Sequence, residues 1–209
     1  MPNCISNEPN YSGGDYSTAS NGSSLGGYST GTTETAYGYT VDFSGNWAYN
    51  ANAVSSNANA NKYKEGFKKI GSAVGMDWRL VAAVARQEST FNPTAGDTDK
   101  AYGLFQWYCK SWTDYAPSGK KGCEYRRDVN VQFETTKNYW IWLNNNYFKN
   151  IPNTNDRLAL IIQSHHDGHV SLKDGVQWKN YIEKYKGDRR KESIEYLSLV
   201  INYYRQFCK

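Results

Sequence analysis

Lysine and arginine are absent from residues 1–61 of this 209-residue chain, a stretch that holds four acids, Glu8, Asp15, Glu34 and Asp42, and almost no aliphatic side chains. A segment so rich in Gly, Ser, Asn, Thr and Tyr cannot bury enough apolar surface to offset the entropy of ordering it, which excludes a second packed domain. Residues 1–60 therefore read as a low-complexity N-terminal arm, a tether or docking segment, and residues 61–209 as the folded unit. Long hydrophobic runs are missing as well. No stretch has the length and apolarity of a membrane span or signal-peptide core, so no membrane span is expected and nothing in the sequence as written directs export. Cysteine is sparse: Cys4, Cys109, Cys123 and Cys208 form no C-x-x-C unit, which argues against zinc. Cys109 and Cys123 bracket one loop, and a disulfide there or two free thiols are equally compatible with the sequence. No nucleic-acid-binding motif is present, and no cofactor is expected.

What is present lies mostly after Asn61. Residues 62–209 carry 24 basic and 16 acidic side chains, a net +8 against +4 for the whole chain, which suits an anionic polymer. The arm departs from a plain spacer in its tyrosines, Tyr11, Tyr16, Tyr28, Tyr37, Tyr39 and Tyr49, which equip it to pack on a protein partner or an assembly. Alternation over Ala36 to Phe43 permits a short strand there.

The stretch from Asp77 to Gln106 carries the chemistry. Asp77 caps a predicted helix running to about Ser89, ended by Asn92 and Pro93, with Leu80, Val81 and Val84 on its apolar face. The step from Val81 to Glu88 closes to within about 20° of two full turns, so Glu88 falls on that face. A buried glutamate without a cation is driven toward its neutral form and becomes a proton donor near neutral pH. The alternative is a surface glutamate paired with Arg86 or Lys100.

The following loop weighs on that choice. Glu88, Ser89, Phe91, Asn92, Pro93 and Ala95, then Gly103, Leu104, Phe105 and Gln106, resemble the E-S-x-F-N-P-x-A and G-L-M-Q motifs of the soluble lytic transglycosylase catalytic domain, a goose-type-lysozyme relative in the lysozyme superfamily. The resemblance implies an all-α, lysozyme-like domain that acts on peptidoglycan glycan strands with Glu88 as acid and base. It also implies substrate-binding roles for Asp97 and Gln106, while Tyr102 is one of several aromatics near the motif suited either to stack on sugar rings or to fill the core. Asp97 stands where such enzymes have a substrate-facing serine, and Lys100 replaces a loop glycine. The run from Gly96 to Gln106 is also similar to goose-type lysozymes, in which an aspartate serves hydrolysis.

Further on, Tyr63, Phe67, Ile70 and Val74 recur at helical spacing with Gly75 as a stop, Ser111 to Tyr115 reads as a short helix, and Asp128 caps a helix through Trp142. Arg157 to His166 forms another, stopped by Gly168, and the segment Ser164 to Gly168 is similar to the family's A-Y-N-A-G element. His165 takes the place of its substrate-side tyrosine, which implies a hydrogen bond to sugar. The alternative of a metal held by His165, His166, His169 and Asp167 is disfavoured, so no metal is expected. The last predicted helix, about Lys191 to Phe207, resembles the family's terminal element, with Glu192 matching a groove-lining glutamate and Tyr196 its tyrosine.

Three function classes remain open on sequence alone. The first is a lytic transglycosylase cutting between MurNAc and GlcNAc, with a hydrolytic goose-type-like lysozyme or chitinase as its close variant. The second is a non-catalytic module of a phage virion or secretion machine. The third, a thiol peptidase using Cys109 and His165, is disfavoured because no helix start is expected at Cys109. The expected setting is the extracytoplasmic envelope, periplasmic or extracellular, or a phage virion, and Cys4 before a polar linker resembles a lipid-anchored lipoprotein after processing.

Overall fold

The computed structural model describes residues 33–36, 39–42, 58–151, 154–169 and 187–208. Cys4 and the arm tyrosines at 11, 16, 28, 37 and 49 lie outside the described residues. Within the arm, the single expected strand is an antiparallel pair. β1 (Thr33–Ala36) runs against β2 (Tyr39–Asp42), with Thr33 opposite Asp42 and Ala36 opposite Tyr39.

From there the chain is helical: α1 (Ala58–Lys62), α2 (Lys64–Val74) and α3 (Trp78–Ser89) lead into a hairpin of two-residue strands, β3 (Ala101–Tyr102) and β4 (Trp107–Tyr108). Next come α4 (Cys109–Tyr115), a 3-10 turn over Cys123–Arg127, and α5 (Val129–Trp142), which runs on through a π-helical turn, Leu143–Tyr147. The last two helices are α6 (Thr154–Asp167) and α7 (Gly187–Cys208). The mostly helical fold is that of the lysozyme-like reading. Helix α1 starts on the arm side of the expected boundary, and its Ala60 is fully buried.

Local chemistry accounts for the helix ends. Asp77 accepts the Arg79 amide proton at 2.8 Å, satisfying one of the orphan donors of α3, and Asp128 does the same for Asn130 at 2.9 Å in α5. Gly75, at φ 70°, closes α2 in a left-handed cap.

Helix α3 is central, packed between α2 on one side and α7 on the other, and α2 also crosses α5. Its residues from Trp78 to Ala85 are all buried, so it has no solvent face until Arg86. Phe67 joins α2 to the motif loops and α5, its ring centroid 6.1 Å from Phe91, 6.3 Å from Phe105 and 5.5 Å from Phe133. Where α2 meets α5, Gly66 faces the Phe133 ring, and a Cβ there would stand 2.5 Å from it. The core thus backs directly onto the end of α3, where Glu88 sits.

Candidate active site

Glu88 occupies the last turn of α3, where the helix leaves the core. It is surrounded by protein atoms yet keeps some exposed surface, the combination needed by a group that must meet a ligand. Burial pushes its pKa up from 4.5 to about 7, and a hydrogen bond from Tyr196 partly opposes the rise. The Tyr196 hydroxyl donates to Glu88 Oε1 at 2.6 Å. No cation pairs with Glu88 among the described residues, and Arg86 lies over the Tyr203 ring at 4.6 Å. Of the two sequence alternatives for this glutamate, the core-facing one is the arrangement found.

The chain leaves α3 through strained backbone. Thr90 and Phe91 both adopt left-handed conformations, at φ 52° and 62°, and so does Gln106 at φ 48°. Each costs about 1–3 kcal/mol for a non-glycine residue and persists because its surroundings hold it. Phe91 is anchored in the core against Phe67, while Ser89 Oγ reaches both Ala85 O (3.1 Å) and Leu104 O (3.0 Å). The reversal brings Ala95 to Gly103, whose amide donates to the Ala95 carbonyl at 2.8 Å. Gly103, at φ 88°, allows Gln132 to approach: a Cβ there would lie 2.5 Å from Gln132 Oε1, which accepts from Leu104 N at 2.6 Å.

The expected substrate residues are distributed as follows. Gln106 is half-buried and donates to the Ala95 and Gly103 carbonyls at 3.1 and 2.8 Å, locking the loop. Asp97 is exposed at the tip, its Oδ1 accepting from the Asp99 amide at 3.1 Å. Tyr102 is 8% exposed and faces the Arg126 guanidinium, 5.9 Å from its ring centre. Glu192 is exposed on α7, one turn before Tyr196.

His165 is tied into the protein on both ring nitrogens. Nε2 donates to the Phe105 carbonyl at 2.8 Å, which requires the proton on Nε2, and Nδ1 accepts from the Trp140 indole at 3.5 Å. Burial holds its pKa down to about 4, so the ring is neutral near pH 7. Its nitrogens are thus occupied within the protein, rather than facing a sugar as expected from the tyrosine it replaces.

Three residues near the site were not singled out for it. Tyr196 was matched only to a family tyrosine, yet it is the direct partner of Glu88, and its ring stacks on His166 with centroids 4.1 Å apart. Asp167, weighed only as a metal ligand, is nearly buried and accepts from Gln163 Nε2 and Ser193 Oγ at 2.8 Å each, joining α6 to α7 one turn from Tyr196. Arg126, which drew no attention in the sequence, is 2% exposed.

Cys109 and Cys123 form a disulfide with Cα atoms 5.3 Å apart. Helix α4 does begin at Cys109, contrary to expectation, but the disulfide occupies the thiol that a nucleophile would need. Among the described residues no cluster of three or more His, Cys, Asp or Glu side chains is disposed to hold a metal ion. No described helix is long and apolar enough to cross a membrane.

Comparison with known proteins places these features in a family. The model of the transglycosylase SLT domain matches residues 65–186, which include Glu88 and the loop to Gln106 but end before Tyr196. Over 118 residues the chain is 29% identical to membrane-bound lytic murein transglycosylase C of Edwardsiella ictaluri (strain 93-146), covering 54% of this chain and 33% of that protein. The chain therefore spans about a third of the length of that curated relative. With more than half of its residues matched by the family model and its glutamate set at the end of a buried helix, the chain belongs to the transglycosylase SLT domain family.

Proposed function

We infer that this protein is a peptidoglycan lytic transglycosylase that cleaves glycan strands between MurNAc and GlcNAc, with Glu88 as the single acid and base. The observation that carries the reading is the Glu88–Tyr196 pair. A carboxyl raised to about 7 is available both as an acid and as a base near neutrality. In the acid form Glu88 delivers its proton to the glycosidic oxygen, breaking the C1–O bond. As carboxylate it takes the proton from the muramic acid's primary hydroxyl while that oxygen bonds to C1, so an anhydro ring closes and no water is consumed. Tyr196 holds the carboxylate between the two steps through its hydroxyl.

Asp97, Tyr102, Gln106 and Glu192 form the sugar-binding wall in this reading, Gln106 by shaping the loop. His165 supports that wall from behind. A hydrolytic outcome would need a second carboxylate to hold water. Asp97 is the candidate, exposed at the loop tip with Oδ1 closing the turn at Asp99, and the test below separates the two outcomes. The Cys109–Cys123 disulfide supports a setting in an oxidising compartment, outside the cytoplasm, where the cell wall lies. Residues 1–57, which precede α1, serve as the arm that docks the domain on an envelope or virion partner.

Mass spectrometry of fragments released from purified sacculi tests this function. Anhydro-muramic ends, lighter than the hydrolysed product by one water and absent with Glu88→Gln, are expected. Reducing ends that disappear in Asp97→Asn would replace the transglycosylase by a hydrolase, and no release at all would leave a binding module.

A further inference from the structure

Arg126 lies in the 3-10 turn after the disulfide, almost wholly buried, with no carboxylate at ion-pair distance among the described residues. Its guanidinium instead donates to four backbone carbonyls. Nη1 reaches Lys100 O at 2.8 Å and Trp107 O at 2.7 Å, Nη2 reaches Thr98 O, and Nε reaches Cys123 O at 3.2 Å. Burying a cation is costly, and the charge is tolerated here because carbonyl dipoles replace the lost water and the Asp99 carboxylate, beyond ion-pair distance, favours it. An ammonium would satisfy fewer of them, since only the planar fork spans carbonyls on both sides of a hairpin.

Those carbonyls occupy particular places. Thr98 and Lys100 lie in the turn that begins at Asp97, and Trp107 follows Gln106, while the Tyr102 ring covers the guanidinium itself. Arg126 thereby fixes both shoulders of the β3–β4 hairpin. Gln132 adds a second brace, donating from Nε2 to Pro93 O at 3.0 Å and to the Arg126 carbonyl at 2.7 Å. The Cys109–Cys123 bond ties the turn that carries Arg126 to the first residue after the hairpin. None of these contacts involves Glu88 or Tyr196.

We propose that Arg126 is the positioning residue for the sugar-binding hairpin from Thr98 to Trp107, and that the Cys109–Cys123 bond holds the turn from which it acts. The proposal rests on the glycan-cleaving reading of the site. It separates binding from chemistry: loosening the hairpin weakens the hold on sugar in ground state and transition state alike, which raises KM and leaves kcat in place.

The test uses the full chain with Arg126→Lys and the Cys109→Ser/Cys123→Ser pair, assayed on soluble glycan strands across pH. Arg126→Lys should raise KM by roughly tenfold, the worth of one well-made polar contact, with kcat and the alkaline limb of the pH profile unchanged. The cysteine pair should move KM in the same direction. Combined with Arg126→Lys it should add less than the product of the two effects, because both loosen one hairpin. A fall in kcat at constant KM, a displaced alkaline limb or fully multiplicative effects would overturn the proposal. Should Arg126→Lys lack a cooperative melt, the cysteine pair alone decides by its split between KM and kcat. Calorimetric binding of chitotetraose separates this idea from the function it rests on. Wild-type binding without turnover, lost in the variants, would sink the enzyme reading and keep the hairpin role. Binding that both variants retain would do the reverse, and no wild-type binding or turnover would sink both.

Discussion

Replacing Tyr196 with phenylalanine isolates one hydrogen bond at the heart of the site. The ring stays stacked on His166 and the buried volume barely changes, while the 2.6 Å bond to Glu88 Oε1 is lost. In the wild type that bond favours the carboxylate and works against burial, which drives the carboxyl up to about 7. A hydrogen bond to a charged group contributes about 1.5–3 kcal/mol, and 1.36 kcal/mol corresponds to one pH unit, so its removal should raise the Glu88 pKa by about 1–2 units. Protonated Glu88 is the form that begins the reaction, so activity falls as pH rises through its pKa. The alkaline limb of kcat/KM, expected near pH 7 in the wild type, should therefore move upward in Tyr196→Phe, even where the peak rate is lower. Measuring kcat/KM on soluble glycan strands from acid to alkaline pH reads this directly. A limb that stays in place or moves down refutes the argument that Tyr196 tunes this carboxyl.

The same carboxyl costs the fold stability in alkali. A glutamate raised from 4.5 to about 7 is neutral in both folded and unfolded chains at low pH, and above pH 7 the folded chain carries a poorly solvated charge worth about 3 kcal/mol. Glu88→Gln should thus abolish lysis yet, in urea melts, gain about that much over wild type at pH 8 and little at pH 4. His165 acts from the acid side. With its pKa lowered to about 4 from 6.5, the stability of the neutral ring is present above 6.5 and about 3 kcal/mol is lost as pH falls to 4, a loss His165→Gln should blunt in the same melts. Gly103→Ala should destabilise by about 1–3 kcal/mol or more, because the new Cβ meets Gln132 and the φ is left-handed, with a lowered melting temperature as the readout. Deleting residues 1–57, which spares α1 and buried Ala60, should leave a cooperative thermal transition and activity on soluble glycan, and loss of both would show the arm to be part of the core.

Helices were legible in this sequence because burial imposes a period on them. The Asp77 and Asp128 caps, the Gly75 stop and the Tyr63 to Val74 stripe all lie where side-chain chemistry and spacing put them. Glu88 was legible for the same reason, as a carboxylate on an apolar face. Its partner was not, since Tyr196 stands 108 residues away and nothing local distinguishes a tyrosine that donates a proton bond from one that fills a core. Arg126 was hidden by its neighbours Glu124 and Arg127, which make the segment look solvated, whereas three of the four carbonyls that hold it come from residues 98 to 107. The β3–β4 hairpin has only two residues per strand, too few to show alternation. His165 read as a sugar ligand by position, and its actual partners, Phe105 O and Trp140, become neighbours only on folding.

The glycine at the crossing of α2 and α5 also constrains the protein's history. A methyl group at position 66 would overlap the Phe133 ring, and that ring also touches Tyr63, Phe67 and Phe105 and so has little room to retreat. The two positions must therefore drift together. Lineages that acquire alanine at 66 should carry a smaller side chain at 133, and a library randomised at both sites should return glycine–aromatic and alanine–aliphatic combinations while rejecting the crossed pairs.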